Sequence, residues 1–301
     1  MQEEIVATLA SGGIENPRLE ARMILSHTKN ANRIKDIVAK RIKGMPLDKI
    51  LGKKAFYKSE FYVNTSVLSP RPETEILVEK AIEIIKEQRP KASKKTHMPI
   101  EIDFRKLLSR HKTVSKEESY KILDLGIGSG NILLSILKEI PDVVGIGVDK
   151  SSDALRVARE NAKGLIKGYE SRITFFQADW FAASFFKGKH WFMAHGFDMV
   201  VSNPPYIPHE DIDTLEKEVR DYDPLLALDG GLDGLRSYKR IAELAPSFIK
   251  TGGYILLEIG INQADDVIGI FQGNGLELVE VLKDLAGIDR CLVFKNRERR
   301  P

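Results

Sequence analysis

The stretch "ILDLGIGSGNILLSIL", Ile122 to Leu137, decides how the rest of the chain is read. An apolar run leads into it, apolar residues at helical spacing leave it, and Gly126, Gly128 and Gly130 alternate between them. That is strand, glycine turn, helix. Glycine accepts left-handed backbone and has no Cβ, so the chain can turn sharply and a ligand can approach bare amides.

Downstream the same alternation continues. Strand candidates are "KILDL", "VVGIGVD", "RITFFQA", "FDMVVSN", "GGYILLEIG", "LELVEVLKD" and "RCLVFKN". Helices are predicted at "NILLSILKEI", "SDALRVARENAKGLI", "LRSYKRIAELAPSFI" and "QADDVIGIFQ". Strands alternating with helices argue for a doubly wound α/β fold, whose ligand lies beyond the carboxyl ends of its strands. The predicted sheet is seven-stranded and mostly parallel. Its last two strands are joined only by "LAGID", which predicts an antiparallel edge.

Upstream, residues 1–50 read as a small helical domain. Asn16 and Pro17 give a start signal, and "ANRIKDIVAKRIKG" sets Ile34, Ile37, Val38 and Ile42 on one face. Residues 51–70 alternate apolar and polar positions around aromatics and read as a β-hairpin linker. The third unit is 71–301, opening with an amphipathic helix in "RPETEILVEKAIEIIKEQ" with Pro72 in its first turn. It carries a basic insertion at about 88–118. Residues 86–121 hold 11 Lys/Arg against 5 Asp/Glu, although the whole chain is only +3. A solvated basic loop is the plain reading of that surplus.

Composition excludes several classes. With 43% hydrophobic and 30% charged residues the chain is globular. One cysteine, Cys291, allows no internal disulfide and reads as a buried small hydrophobe. "MQEEIVATLASGG" has acids and no apolar run, so no export signal is read there, and no stretch reaches the length of a membrane span. A cytoplasmic protein, without a metal site, is expected.

Asp149 closes the strand after the glycine loop, 19 residues beyond Gly130. An acid at that place can accept from both hydroxyls of a ribose; the bland alternative is an acid at a helix start. The spacing fits NAD and S-adenosylmethionine alike. The loop lacks the G-x-G-x-x-G continuation of a dinucleotide site, since Asn131 and Ile132 precede Leu133. Asp124, ahead of the glycines, would repel a pyrophosphate and suits an ammonium group. After the third strand, Asp179 can accept from an adenine amino group and Trp180 offers an apolar wall.

"VVSNPPYIP", Val200 to Pro208, should leave its strand beside the glycine loop. Proline fixes its own backbone and extends the residue before it, so Asn203 is held extended. The Asn203 carboxamide oxygen and the Pro204 carbonyl form a pair of acceptors suited to the two hydrogens of an NH₂ group. Tyr206 adds an aromatic face. Such a pair suits alkyl transfer to a planar, weakly nucleophilic nitrogen by positioning and electrostatics, without a matched base. A proline-rich turn ending a strand is the structural alternative.

Together "DLGIGSG", "GVDKSSDALRVARENA", "QADWF" and "VVSNPPYI" resemble the class I S-adenosylmethionine-dependent methyltransferases that modify amino or amide nitrogen. "NPPY" is shared with adenine-N6 DNA methyltransferases. The segments "LGKKAFYKSEFYVNTSVLSPRPETEILVEKA", "DYDPLLALDGGLDGLRSYKRIAELA", "GYILLEIGINQADDV" and "VLKDLAGIDRCLVF" resemble the peptide chain release factor glutamine methyltransferases, over about residues 50–301 without the basic insertion. The resemblance implies methylation of the glutamine side-chain amide in a release factor's Gly-Gly-Gln motif. It places the cofactor against Gly126, Ile127, Gly128, Ser129, Gly130, Asp149 and Trp180. It assigns Asn203 to cofactor and substrate, and Pro204, Pro205 and Tyr206 to the glutamine pocket; "SPRPETE" (Ser69 to Glu75) is expected over the cofactor. Compared with that family the first 50 residues are abbreviated, the 88–118 segment is longer, and Asp223 stands where Glu is common. A ribosomal-protein glutamine methyltransferase and, further off, a nucleic-acid adenine-N6 methyltransferase are the alternatives. The expected state is a monomer with release factors as partners, and no membrane or direct nucleic-acid substrate.

Overall fold

Seven strands in the order β5-β4-β3-β6-β7-β9-β8 make the central sheet of the computed structural model, which describes residues 1–88, 119–180 and 196–297. Its strands are β3 (Tyr120–Leu125), β4 (Val143–Asp149), β5 (Ile173–Gln177), β6 (Phe197–Ser202), β7 (Ile249–Glu258), β8 (Leu276–Lys283) and β9 (Asp289–Asn296). β3, β4, β5, β6 and β7 pair in parallel, whereas β9 pairs antiparallel with both β7 and β8. The fold is doubly wound α/β, mostly parallel with an antiparallel edge. β4 and β5 extend from β3 in one direction and β6 and β7 in the other, so the chain switches direction between β3 and β6. That switch is where such sheets open a ligand crevice.

All six residues of β3 are buried, as expected when helices cover both faces. Ile122 faces the cluster built from α5 (Glu75–Gln88), α6 (Asn131–Glu139) and α7 (Ser152–Leu165). Leu123, its neighbour, faces the opposite cluster, built from α8 (Arg236–Leu244) and α9 (Ala264–Gly273). The period of two along the strand thus divides the core into two layers. Phe271 and Phe294 stack at 4.6 Å in the second.

Four helices open the chain, ahead of the hairpin: α1 (Gln2–Ser11), α2 (Pro17–His27), α3 (Ala31–Ile42) and α4 (Leu47–Leu51). They bury Ile5, Leu9, Ala21, Ile24, Ile34, Ile37, Val38 and Leu47 together. One position differs from the sequence reading. Ile42 is exposed, and Arg41 completes the inward face instead. Positions 34, 37, 38 and 41 follow the helical period, and Arg41 is admitted because Glu20 at 2.8 Å and Glu218 at 2.7 Å neutralise it. After α4 comes a two-stranded antiparallel hairpin, β1 (Lys54–Phe56) and β2 (Ser59–Phe61).

Two further boundaries move. Pro72 opens a 3-10 turn, Pro72–Thr74, before α5 begins at Glu75. The helix read through to Ile249 stops at Leu244, because Pro246 sits in a separate 3-10 turn, Ala245–Ser247, and Ile249 already belongs to β7. Most of the basic insertion lies outside the described residues. Among the described residues no helix is long and apolar enough to cross a membrane.

Candidate functional site

A cavity of about 1400 Å³ opens over the carboxyl ends of β3, β4 and β6. Its floor is the glycine loop. Gly126, Gly128 and Gly130 have φ of 71°, 54° and 84°, conformations that side chains with a Cβ rarely adopt. The Gly126 and Ile127 amides both donate to the Val148 carbonyl at 2.9 Å, which folds the loop back onto β4. Asp149 then fixes the loop from its other end. Its Oδ2 accepts from the Gly128 amide at 2.9 Å and its Oδ1 from the Ser151 amide at 2.8 Å. Each carboxylate oxygen has a second lone pair, so an acid in this wall can still receive ligand hydroxyls.

Trp180 is held in the left-handed region at φ 51°, a strain of about 1–3 kcal/mol. Its indole lies against Gly126, where even a methyl group would meet the ring at 3.9 Å. Asp179, also in the cavity wall, is half exposed and pairs with Lys150 at 3.0 Å.

The opposite wall comes from residues the sequence places far away. Thr65 to Arg71 and Thr74 line the cavity, carried there by the extended chain after the hairpin. Asn161 on α7 anchors this chain. Its Oδ1 accepts from the Tyr62 amide at 2.7 Å, and its Nδ2 donates to the Tyr62 and Ser129 carbonyls at 3.0 and 2.8 Å. At the far end, Asp223 is buried in ion pairs with Lys49 and, at 3.1 Å, with Arg71. Lys49 also donates to the Val67 and Tyr222 carbonyls at 2.9 and 2.8 Å. The Ser69 hydroxyl, buried in the same wall, is without a protein partner.

"NPPY" leaves β6 where Ser202 donates its hydroxyl to the Leu125 carbonyl at 2.7 Å, tying β6 to β3 beside the glycine loop. Asn203 and Pro205 line the cavity. Pro204 is buried, and Tyr206 packs against the second core cluster. The backbone of this segment is secured by Gln263, whose Nε2 donates to the Tyr206 carbonyl at 2.9 Å. Ile207 pairs with the 228–230 turn through bonds of 3.0 and 2.8 Å. Gly234, at φ 72°, approaches the Tyr206 carbonyl so closely that a Cβ would collide with it. Burial and the nearby Glu258 push the Tyr206 phenol up to about 12, so it stays neutral at physiological pH.

Among the residues singled out from sequence, Gly126, Ile127, Gly128, Ser129, Asp149, Asp179, Trp180, Asn203 and Pro205 share one cavity wall. Asp124, Gly130, Pro204 and Tyr206 support it from outside. Gly130 caps α6 in contact with Leu134. Asp124 lies buried under the loop, with Oδ2 accepting from the Leu133 amide at 3.3 Å and Oδ1 without a partner. Glu258 was not read as a site residue, and Thr74 only as part of the Ser69 to Glu75 stretch expected over the cofactor. An acid at the carboxyl end of a central strand, the signal that singled out Asp149, was present in "YILLEIG" as well.

Burial pushes the Asp124 carboxyl up to about 8; the Leu133 amide opposes the shift and Asp149 adds to it. Its pKa in the unfolded chain is near 3.8. Between these values the unfolded state has released a proton that the folded state keeps, so stability falls as pH rises from about 4 to 8. The Asp229 and Asp284 carboxyls, held below their usual range by amide hydrogen bonds, lose their contribution only at lower pH. The melting temperature of the free protein should therefore drop between pH 5 and 8, and Asp124→Asn should flatten that drop. Parallel slopes for the two proteins in calorimetry would contradict the assignment.

Relatives match nearly the whole length of this chain. A family model described as a methyltransferase domain matches residues 116–266. The release factor glutamine methyltransferase of Caulobacter vibrioides is 36% identical over 95% of this chain and 91% of its own. That of Rhodospirillum rubrum is 34% identical over 97% and 83%, and that of Thermodesulfovibrio yellowstonii 36% over 93% and 85%. With near-full-length relatives of that name at 34–36% identity, the chain belongs to the release factor glutamine methyltransferase family.

Proposed function

We propose that this protein methylates the side-chain amide nitrogen of the glutamine in the Gly-Gly-Gln motif of peptide chain release factors, with S-adenosylmethionine as donor. The observation that carries the reading is Asn203 in the same cavity wall as Asp149 and the glycine loop. The donor set suits that cofactor. Asp149 retains lone pairs for the ribose hydroxyls, the indole of Trp180 offers an apolar wall for the adenine, and the unpartnered Ser69 hydroxyl can serve a polar group. When bound, S-adenosylmethionine supplies an electrophilic methyl group.

The chain's own task is to hold an amide nitrogen and favour charge on it. An amide nitrogen is a poor nucleophile because its lone pair is delocalised into the carbonyl. The Asn203 Oδ1 and the Pro204 carbonyl, accepting its two N–H groups, would stabilise the positive charge that grows on nitrogen in the transition state. The prolines fix the main-chain half of that pair. Tyr206, neutral and packed on the core side of the turn, holds Asn203 and Pro204 in place from behind. Positioning and two acceptors then suffice: the new N–C bond would replace the donor's sulfur–methyl bond, whose electron pair stays on sulfur, and the excess proton on nitrogen passes to water.

Incubation with labelled donor and a purified release factor, alongside the same factor with its motif glutamine replaced, tests the proposal. Label should enter the first and not the second. Label on both, or on neither with donor binding intact, would overturn the substrate assignment.

A further inference from the structure

One side of Asn203 faces the cavity. Its amide nitrogen faces a buried polar cluster with no part in the mechanism above. Glu258, the last residue of β7, is 2% exposed. Its Oε2 accepts from the Thr74 hydroxyl at 2.5 Å, and Asn203 Nδ2 approaches the same hydroxyl at 3.4 Å. The chemistry of the three groups sets the direction of this chain. An ionised carboxylate only accepts, and a threonine hydroxyl has one proton to give. With that proton spent on Glu258, the hydroxyl oxygen can only accept, and only the NH₂ end of the Asn203 amide can satisfy it. The two ends of a carboxamide have nearly the same size and shape, so packing would not choose between them.

We infer that Thr74 and Glu258 are positioning residues that lock the orientation of the Asn203 carboxamide, so that its oxygen and not its nitrogen is offered to the substrate NH₂. The inference rests on the amide-transfer reading. A flipped Asn203 would set N–H against N–H, and one of the two acceptors would become a repulsive donor. The arrangement also gives a buried carboxylate a task. Arg290, the cation facing it from β9, is committed to Asp284 at 3.2 Å and to the Ile259 carbonyl at 3.1 Å.

Other groups facing Glu258 are Glu73 from the 3-10 turn, Tyr206 after β6, Tyr238 on α8 and Cys291 on β9. Burial above all brings Glu258 up to about 7, against the Thr74 hydrogen bond and Arg290, which lower it. Once protonated, Glu258 can donate to Thr74, whose hydroxyl is then free to donate to Asn203 and favour the wrong flip. Transfer should therefore weaken as pH falls through about 7.

The test uses the full chain, labelled donor and purified release factor, with Thr74→Val, Thr74→Ser and Glu258→Gln beside the wild type. Thr74→Val keeps the shape without the hydroxyl. It should lower kcat about ten-fold, the scale of one lost hydrogen bond, and leave KM for the donor within about two-fold. Thr74→Ser should recover most of the loss. Glu258→Gln should remove the acidic limb of the wild-type kcat profile. Wild-type kcat in Thr74→Val, or an unchanged acidic limb in Glu258→Gln, would overturn the inference while leaving the amide reading intact. A wild type that binds donor but transfers nothing to the release factor would overturn the amide reading and the inference with it.

Discussion

Asn203→Ala should lower kcat for methyl transfer by about 100-fold or more, as removal of one preorganised group at a developing charge does in other enzymes. Donor affinity should change far less, because Asp149 and the glycine loop are untouched. The alanine keeps Ser202 bonded to Leu125 and keeps both prolines, so the turn survives while the side-chain acceptor is gone. Asn203→Asp sharpens the test. It retains an acceptor toward the cavity but replaces the NH₂ that faces Thr74, and it sets a second carboxylate near Glu258. It should be as impaired as alanine or worse near neutral pH. Steady-state rates with labelled donor and release factor decide the matter. A loss under three-fold for Asn203→Ala would remove the residue from the transfer step.

The second large effect concerns stability. Asp223→Ala should cost about 3–5 kcal/mol, since it strands the Lys49 ammonium in the interior without its counter-charge. Lys49 is fully buried in its side chain and Asp223 nearly so, at 0% and 2% exposed. Two carbonyls would still hold the ammonium, but neither carries a full charge. The double variant Lys49→Met, Asp223→Leu should be more stable than Asp223→Ala alone, because no buried charge is left unpaired; Arg71, which also loses Asp223, is 39% exposed and water can solvate it. Urea unfolding followed at constant m-value measures both. A cost below 1 kcal/mol for Asp223→Ala would mean that water reaches the pair. The same pair joins α4, the Val67 wall and the segment after Tyr222. Its loss should loosen the cavity rim before it unfolds the sheet.

The sequence announced features that backbone chemistry enforces locally. Alternating glycines between an apolar run and a helical pattern admit few conformations, and all three glycines adopt positive φ. Two prolines after Asn203 leave the chain little choice. The place of β6 beside β3 was expected from the switch point of a doubly wound sheet. What escaped was set by long-range packing. Thr74 and Glu258 are 184 residues apart, and nothing in either local pattern says that they meet. Lys49 on a five-residue helix reads as a solvated lysine until Asp223 arrives to meet it. Ile42 and Arg41 were exchanged because hydrophobicity outranks charge in a one-sequence reading, whereas two distant glutamates decided the matter.

The place of β9 in the sheet has a consequence for how the molecule is made. β9 follows β8 in the chain yet lies between β7 and β8. During vectorial synthesis β8 therefore emerges before the strand it pairs with, while β7 waits with one row of amides and carbonyls unclaimed. A nascent chain halted before Asp289 carries two open borders, and each is a template for pairing with a neighbouring chain. Closure comes only when the hairpin turn after Lys283 folds β9 back into the gap. Until then, the five parallel strands, among them the three that carry the cavity, are present but not sealed.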